Sequence, residues 1–252
     1  MDISRVGALW AHYCSALPRI DRTIHENDDM FRTALRGWDD YLIVGQSSVD
    51  VILHALVLAK VPDVHRVLDF GCGHGRVARH LRLLFPEASL FFTDIDETAW
   101  GFCARQFQGE GFSSFDDFEQ LALPGNIDVI FLGSVFTHLD WSRSRTLWSK
   151  LFEALEPGGA LIATFRGSQT YRMMMRDPGR FNAGGYYEQL LEDYRHTGFG
   201  YQDYKGFVNW GQNLFSVGKV AELAEGHDRA RLIGYKEWGW ANIHDVAVWS
   251  KT

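Results

Sequence analysis

Val67 to Val77 reads VLDFGCGHGRV, with glycines at Gly71, Gly73 and Gly75 between an apolar run and a helix-periodic run. Missing Cβ atoms let the backbone bend sharply and come close to a ligand. The free N–H groups at the start of the following helix would face an anionic or carbonyl group. The spacing is GxGxG. The dinucleotide fingerprint GxGxxG needs its third glycine at position 76, where Arg76 stands, which counts against an NAD-dependent oxidoreductase. Asp69, two residues before the first glycine, would repel a pyrophosphate but can hold a ligand ammonium, directly or through the loop backbone. The loop therefore favours a nucleoside carrying an amino-acid tail, the alternative being a tight strand–helix turn without a ligand.

Other polar residues follow the strands. SLFFTDID ends in acids, among them Asp94. His138 lies four residues past Ser134, after the run IDVIFLGSVF, and imidazole changes charge near neutral pH, so it is the candidate general base. His244, beside Asp245, is the second candidate; His74, inside the glycine loop, is expected to meet cofactor or solvent. No HExxH or histidine–carboxylate cluster at metal spacing occurs, so no metal site is expected. Cys14, Cys72 and Cys103 are odd in number and form no CxxC, which fits a reducing cytosol rather than a disulfide framework.

These residues need a scaffold. HRVLDF, SLFFTDID, IDVIFLGSVF and ALIATF read as buried strands alternating with helices at VARHLRLLF, Thr98–Phe107 and Trp141–Leu155, the last capped by Asp140 and ending at EPGG. Such alternation indicates a parallel sheet with helices on both faces. GEGFSSFDDFEQLALPG gives a poor third strand. Ser216 can cap a short helix through Ala224, and RLIGYKEW and HDVAVWS read as an antiparallel pair, because their connection is too short for a parallel crossover. Residues 1–60 read as helical, with Ser47 or Ser48 capping the second helix. Residues 166–215 break the alternation and hold six of the nine tyrosines. Met173, Met174, Met175 and Trp210 lie there too. The segment reads as an acceptor-binding insertion, or as aromatic packing in an accessory layer.

At this point the motifs converge. LDFGCGHGR resembles motif I of the class I S-adenosylmethionine-dependent methyltransferases. TDID is similar to their acidic second motif, IDVIFLGSVFTHL to the fourth-strand motif and LEPGGALIATF to the post-motif, in order over about residues 65–165. The resemblance implies a Rossmann-like, doubly wound, mostly parallel seven-stranded α/β sheet with an antiparallel C-terminal strand pair, N-terminal helices and an insertion after the fifth strand. It implies S-adenosylmethionine as cofactor, held by Asp69, Gly71, Cys72, Gly73 and Gly75. Asp94 would accept from both ribose hydroxyls with Ile95 beside it, and Gly133, Ser134 and Val135 would stand near the methyl. An adenine-contacting acid would be Asp116 or Asp117, or neither. Methyl transfer from a sulfonium is an in-line displacement, so the acceptor must sit opposite the sulfur, where Tyr41, Phe165, Arg166, Tyr171, Trp210 and His244 are the candidate contacts. The fourth strand ends in GSVF, not the Asn/Asp-Pro-Pro-aromatic sequence of relatives that methylate amide or base nitrogens, which favours oxygen, carbon or amine acceptors.

The chain has 252 residues, 46% hydrophobic and 23% charged, with net charge -7. That composition fits a single globular domain: a helical cap over 1–60, a cofactor-binding core over 65–165, the insertion over 166–215 and a C-terminal helix and strand pair over 216–252. The acidic balance disfavours nucleic acid as a partner. No signal peptide is visible, and the most apolar stretch, Val51 to Val61, is short for a membrane span, so a cytoplasmic protein with a small-molecule substrate is expected. The alternatives are a transferase of another S-adenosyl group, such as an aminopropyl, and a non-catalytic cofactor-binding subunit.

Overall fold

The structure is a computed structural model describing residues 1–115, 117–177 and 187–252. Asp116 and Tyr186 therefore lie outside the described residues. The chain opens with α1 (Ile3–Ala16), the short α2 (Asp29–Arg32) and α3 (Trp38–Ala59). Strand–helix alternation follows: β1 (Arg66–Phe70), α4 (Ala78–Leu84), β2 (Ser89–Asp94), α5 (Glu97–Gln106), β3 (Glu110–Ser113), β4 (Ile127–Leu132), α6 (Trp141–Ala154) and β5 (Leu155–Phe165). Next come α7 (Ser168–Arg176), α8 (Glu188–Thr197), β6 (Phe199–Asp203), β7 (Gly211–Phe215), α9 (Val217–Glu222), β8 (Ala230–Trp240) and β9 (His244–Lys251).

Seven strands form one sheet in the order β3-β2-β1-β4-β5-β9-β8. β1 to β5 are parallel, and β9 runs antiparallel to both β5 and β8. This is the expected doubly wound sheet with its antiparallel terminal pair. Burial on both faces explains the unbroken apolar runs. In β4, Val129 and Phe131 enter one core with Ile52, Leu56 and Leu81, while Ile130 and Leu132 enter the other with Trp148, Leu151 and Trp249. The two-residue period thus feeds two helical layers.

Several local expectations are corrected. α3 begins at Trp38 after Gly37, so Ser47 and Ser48 are interior and their hydroxyls donate back to the carbonyls of Val44 and Gly45. At 22 residues α3 is long and apolar enough to cross a membrane, unlike the shorter stretch expected there; its buried face, including Val49, Ile52 and Leu56, packs into the first core. β4 stops at Leu132, because Ser134 takes φ +68° and turns the chain out of the sheet. EPGG does not separate α6 from β5. It lies inside β5, where residues 156–159 bulge opposite Asp128, between the pairs Ile127–Leu155 and Val129–Ala160. Within the insertion, β6 and β7 form a separate antiparallel hairpin.

α3 reaches the sheet's loop end by packing close to α4. A Cβ at Gly45 would lie 2.4 Å from the His80 ring and 2.5 Å from the Arg76 carbonyl oxygen. Gly45→Ala gains about 1 kcal/mol of helix propensity, yet the backbone clash should outweigh it. A net loss of about 1–3 kcal/mol in urea unfolding is expected.

Candidate active site

A cavity of about 490 Å³ opens at the carboxyl ends of β1, β2 and β4. This is where the strand order reverses direction, the place open α/β sheets bind ligands. The glycine loop forms its floor. Gly71, Gly73 and Gly75 have φ of +73°, +49° and +87°. A Cβ at Gly71 would stand 2.4 Å from Val135 Cγ2, so the positive φ and the close approach both require glycine there. The N–H groups of Gly71 and Cys72 donate to the Thr93 carbonyl at 2.8 and 3.0 Å, and that of Gly73 donates to Asp94 Oδ2 at 2.9 Å. Asp94 Oδ1 accepts from the Asp96 N–H at 3.0 Å. Burial raises the Asp94 pKa, opposed by these backbone donors.

Asp69 has no such support. It is 2% exposed, and its Oδ2 has no hydrogen-bond partner. Burial, reinforced by the Asp94 charge, pushes its pKa up to about 8. The N-terminal segment covers this end. Arg79 donates to the carbonyls of Gly75 (2.9 Å) and Asp21 (2.6 Å), while His25 stacks on His74 at 4.6 Å. Asp28, Asp29 and Met30 consequently line the cavity.

His138 stands at the other end, on a single 3₁₀ turn (Phe136–His138) that the hairpin holds from outside the sheet. Asn213 Nδ2 donates to the carbonyls of Phe136 and Leu139 at 2.5 and 2.6 Å. His138 Nδ1 is 3.0 Å from the Gly211 carbonyl oxygen and 3.1 Å from the Tyr204 hydroxyl, and its ring stacks on Trp210 at 4.4 Å. A carbonyl can only accept, so Nδ1 carries the proton and Nε2 keeps its lone pair. Burial, with the Arg166 charge, lowers the His138 pKa to about 4, so the ring is neutral at pH 7.

Of the residues expected at the site, Asp69, Gly71, Cys72, Gly73, Asp94, Ile95, Gly133, Ser134, Val135, His138 and Trp210 line this cavity together. The others do not. Gly75 packs toward Phe107, and Tyr41 sits behind the wall, donating to Asp28 Oδ2 at 2.5 Å. Phe165 is fully buried against Phe136 and Phe215, and Arg166 donates to the Thr137 carbonyl. Tyr171 packs on Tyr194, and Met174 joins Tyr187, Leu190 and Leu214 in a small separate core. His244 is enclosed and stacked behind Trp240 at 5.6 Å. Asp117 caps a turn by accepting from the Glu119 N–H, while Ser114, Phe115 and Phe118 line the cavity instead. Asp28, Met30, Arg76, Arg143 and Trp240 are lining residues the sequence reading did not place. Only Arg76 had a local signal, its position in the loop.

The raised pKa of Asp69 makes a linkage prediction. Its folded pKa of about 8 exceeds the 3.8 of a free aspartate, so the folded state binds the proton more tightly and stability from this group is lost as pH rises from about 4 to 8. Asp69→Asn should therefore stabilise the ligand-free protein by about 1–3 kcal/mol at pH 8. The gain should shrink toward pH 4 in thermal unfolding.

Comparison with known proteins agrees with this geometry. Residues 68–161 match a family model described as a methyltransferase domain. A malonyl-[acyl-carrier protein] O-methyltransferase from Bacillus cytotoxicus is 24% identical over 196 residues, covering 77% of this chain and 62% of that protein. A ribosomal RNA small subunit methyltransferase C from Pseudomonas entomophila is 30% identical over 112 residues, covering 41% of this chain and 32% of that protein. The chain thus spans less than two thirds of the length of either curated relative. A solved S-adenosylmethionine-dependent methyltransferase from Clostridium acetobutylicum shares the fold, with TM-score 0.55 at 12% identity over 96% of this chain and 97% of that one. Residues 68–161 thus match a methyltransferase domain, and the seven-stranded sheet around them has the fold of solved S-adenosylmethionine-dependent methyltransferases.

Proposed function

We propose that this chain transfers a methyl group from S-adenosylmethionine to a small-molecule acceptor. The observation that carries the reading is a single cavity joining Asp94, Asp69 and His138. The residues fit the donor. Asp94 is anchored through both oxygens by backbone N–H groups, which leaves further lone pairs for a vicinal diol. Asp69 lacks a partner for Oδ2, as a receptor for an ammonium would. When bound, the donor supplies an electrophilic methyl carbon on a sulfonium.

The chain's own work is to position the acceptor, exclude water and take a proton. Trp210, Trp240, Leu139 and Phe118 wall the cavity with apolar surface. His138 Nε2 takes the acceptor proton. An imidazole with pKa about 4 is a weak base, better matched to an acidic oxygen acceptor, a phenol or a carboxylic acid, than to an alkylammonium. The net charge of -7 and the GSVF sequence support a small molecule over RNA. The absence of disulfide spacing in the sequence supports a cytoplasmic setting.

Calorimetry tests the donor. S-adenosylmethionine and S-adenosylhomocysteine should bind and NAD should not; a chain that ignored both nucleosides would sink the reading. Asp94→Ala should weaken nucleoside binding by about 1–3 kcal/mol, and unchanged affinity would remove Asp94 as the ribose ligand. Binding with no turnover of any acceptor would favour a non-catalytic subunit instead.

His138 has its own test. Once an acceptor is found, His138→Ala should lower kcat about 100-fold or more with donor affinity nearly intact. Because the base form is the unprotonated ring, wild-type kcat should stay level from pH 8 to pH 6 and fall only as pH approaches about 4. A decline centred near pH 6.5 would contradict the buried, neutral imidazole.

A further inference from the structure

Trp240 walls the cavity from the end of β8 and is only 3% exposed. The backbone that carries it is strained. The pairs Lys236–Val246 and Trp240–His244 leave Glu237, Trp238 and Gly239 opposite Asp245 alone, so β8 bulges just before Trp240. Within the bulge Trp238 takes φ +50°, and just past Trp240 the turn residues Ala241 and Asn242 take +53° and +54°. A left-handed backbone crowds any Cβ, and for a side chain as bulky as Trp238 it is a true outlier. Asp245 holds the bulge in place. Its buried carboxylate accepts from the Trp238 N–H at 2.9 Å and from the Tyr235 hydroxyl at 2.6 Å. Strain that the surrounding structure sustains beside a ligand cavity points to a function for the side chain it places.

That side chain is fixed by packing. The indole N–H is buried with no hydrogen-bond partner among the described residues. The ring meets Phe131 edge to face at 6.0 Å and stacks on His244 at 5.6 Å, while the Arg76 guanidinium lies 5.7 Å from its centroid. A Cβ at Gly133 would stand 3.2 and 3.3 Å from two carbons of the indole, so the ring presses on the cavity floor where β4 ends. This floor connects the two halves of the site. At one end Gly71 of the glycine loop closes on Val135; at the other, the turn that follows Val135 carries His138. In the reaction proposed above, the group in transit passes between the donor, held at the glycine loop, and an acceptor that gives its proton to His138. It therefore crosses the floor that Trp240 narrows. We propose that Trp240 is a specificity-determining residue that limits the transferable group on the sulfonium to a methyl. The inference rests on the donor reading and selects among the S-adenosyl groups that such a cavity could receive. A packed wall rejects added carbon atoms because neither the ligand nor the wall can yield without strain.

Calorimetry with S-adenosylmethionine and its S-allyl and S-benzyl analogues tests this without knowledge of the acceptor. Wild type should bind the allyl analogue about 10- to 100-fold more weakly than S-adenosylmethionine, and the benzyl analogue more weakly still. In Trp240→Ala the gap between allyl and methyl should close to within about threefold. The quantity read is the ratio of the two affinities within each protein, so a general loss of nucleoside binding in the variant cancels. Trp240→Leu keeps an apolar filler at the position and should give an intermediate ratio; if Trp240→Ala fails to fold, this variant decides. A ratio unchanged from wild type in the variant that folds overturns the proposal. Wild type that binds the allyl and benzyl analogues as tightly as S-adenosylmethionine overturns it whatever the variants do, and leaves the donor reading standing. Wild type that binds S-adenosylmethionine, S-adenosylhomocysteine and the analogues not at all sinks the donor reading, and the size limit with it.

Discussion

Two parallel strands, β1 and β2, end side by side and carry Asp69 and Asp94 into a low-dielectric pocket where neither carboxylate is bonded to a protein cation. Like charges in such a place repel, and desolvation penalises both. The protein answers the two differently. Asp94 receives backbone N–H donors from the glycine loop and from Asp96, so it anchors the loop as much as it awaits a ligand. Asp69 receives none and remains a stored electrostatic cost. The positive φ values of Gly71 and Gly73 follow from this arrangement, because only a sharply bent backbone brings the Gly73 N–H onto Asp94 while staying clear of Val135.

Covering such a site takes material from distant parts of the chain. The N-terminal segment is tied down by Arg79 and by the stack of His25 on His74. α3 supports it from behind, with Tyr41 donating to Asp28. The end of β8 contributes Trp240, and the hairpin contributes Trp210. Each cover comes from outside the central strand–helix run, so the central sheet supplies the polar floor and the later additions supply the walls. In the proposed reaction these walls face the acceptor, and fold resemblance carries little information about their composition.

His138 illustrates the division. Its place in the loop after β4 comes from the sheet. Its tautomer, burial and lowered pKa come from Gly211, Tyr204, Trp210 and Arg166, between 28 and 73 residues away in sequence by the numbering. The aromatic insertion therefore acts on the site mainly through one histidine and one tryptophan, while Tyr171, Met174 and Tyr187 pack among themselves.

Local signals in the chain were legible because they depend on near neighbours: the glycine spacing, the strand-end acids, the two-residue period of β4 and the Asp140 and Ser216 caps all act within a turn or a strand. The same locality explains the misreadings. Ser47 and Ser48 look like caps until the preceding turns prove helical, and EPGG looks like a stop until Asp128 is seen opposite its bulge. Sequence alone determined the order of elements and the chemistry of the β1–α4 loop, since covalent spacing and backbone freedom specify both. Tertiary structure decided that Asp28, Arg76 and Trp240 reach the cavity and that Phe165, Tyr171 and His244 do not. Which side chains share a pocket depends on how separately formed layers pack, and no local pattern encodes that.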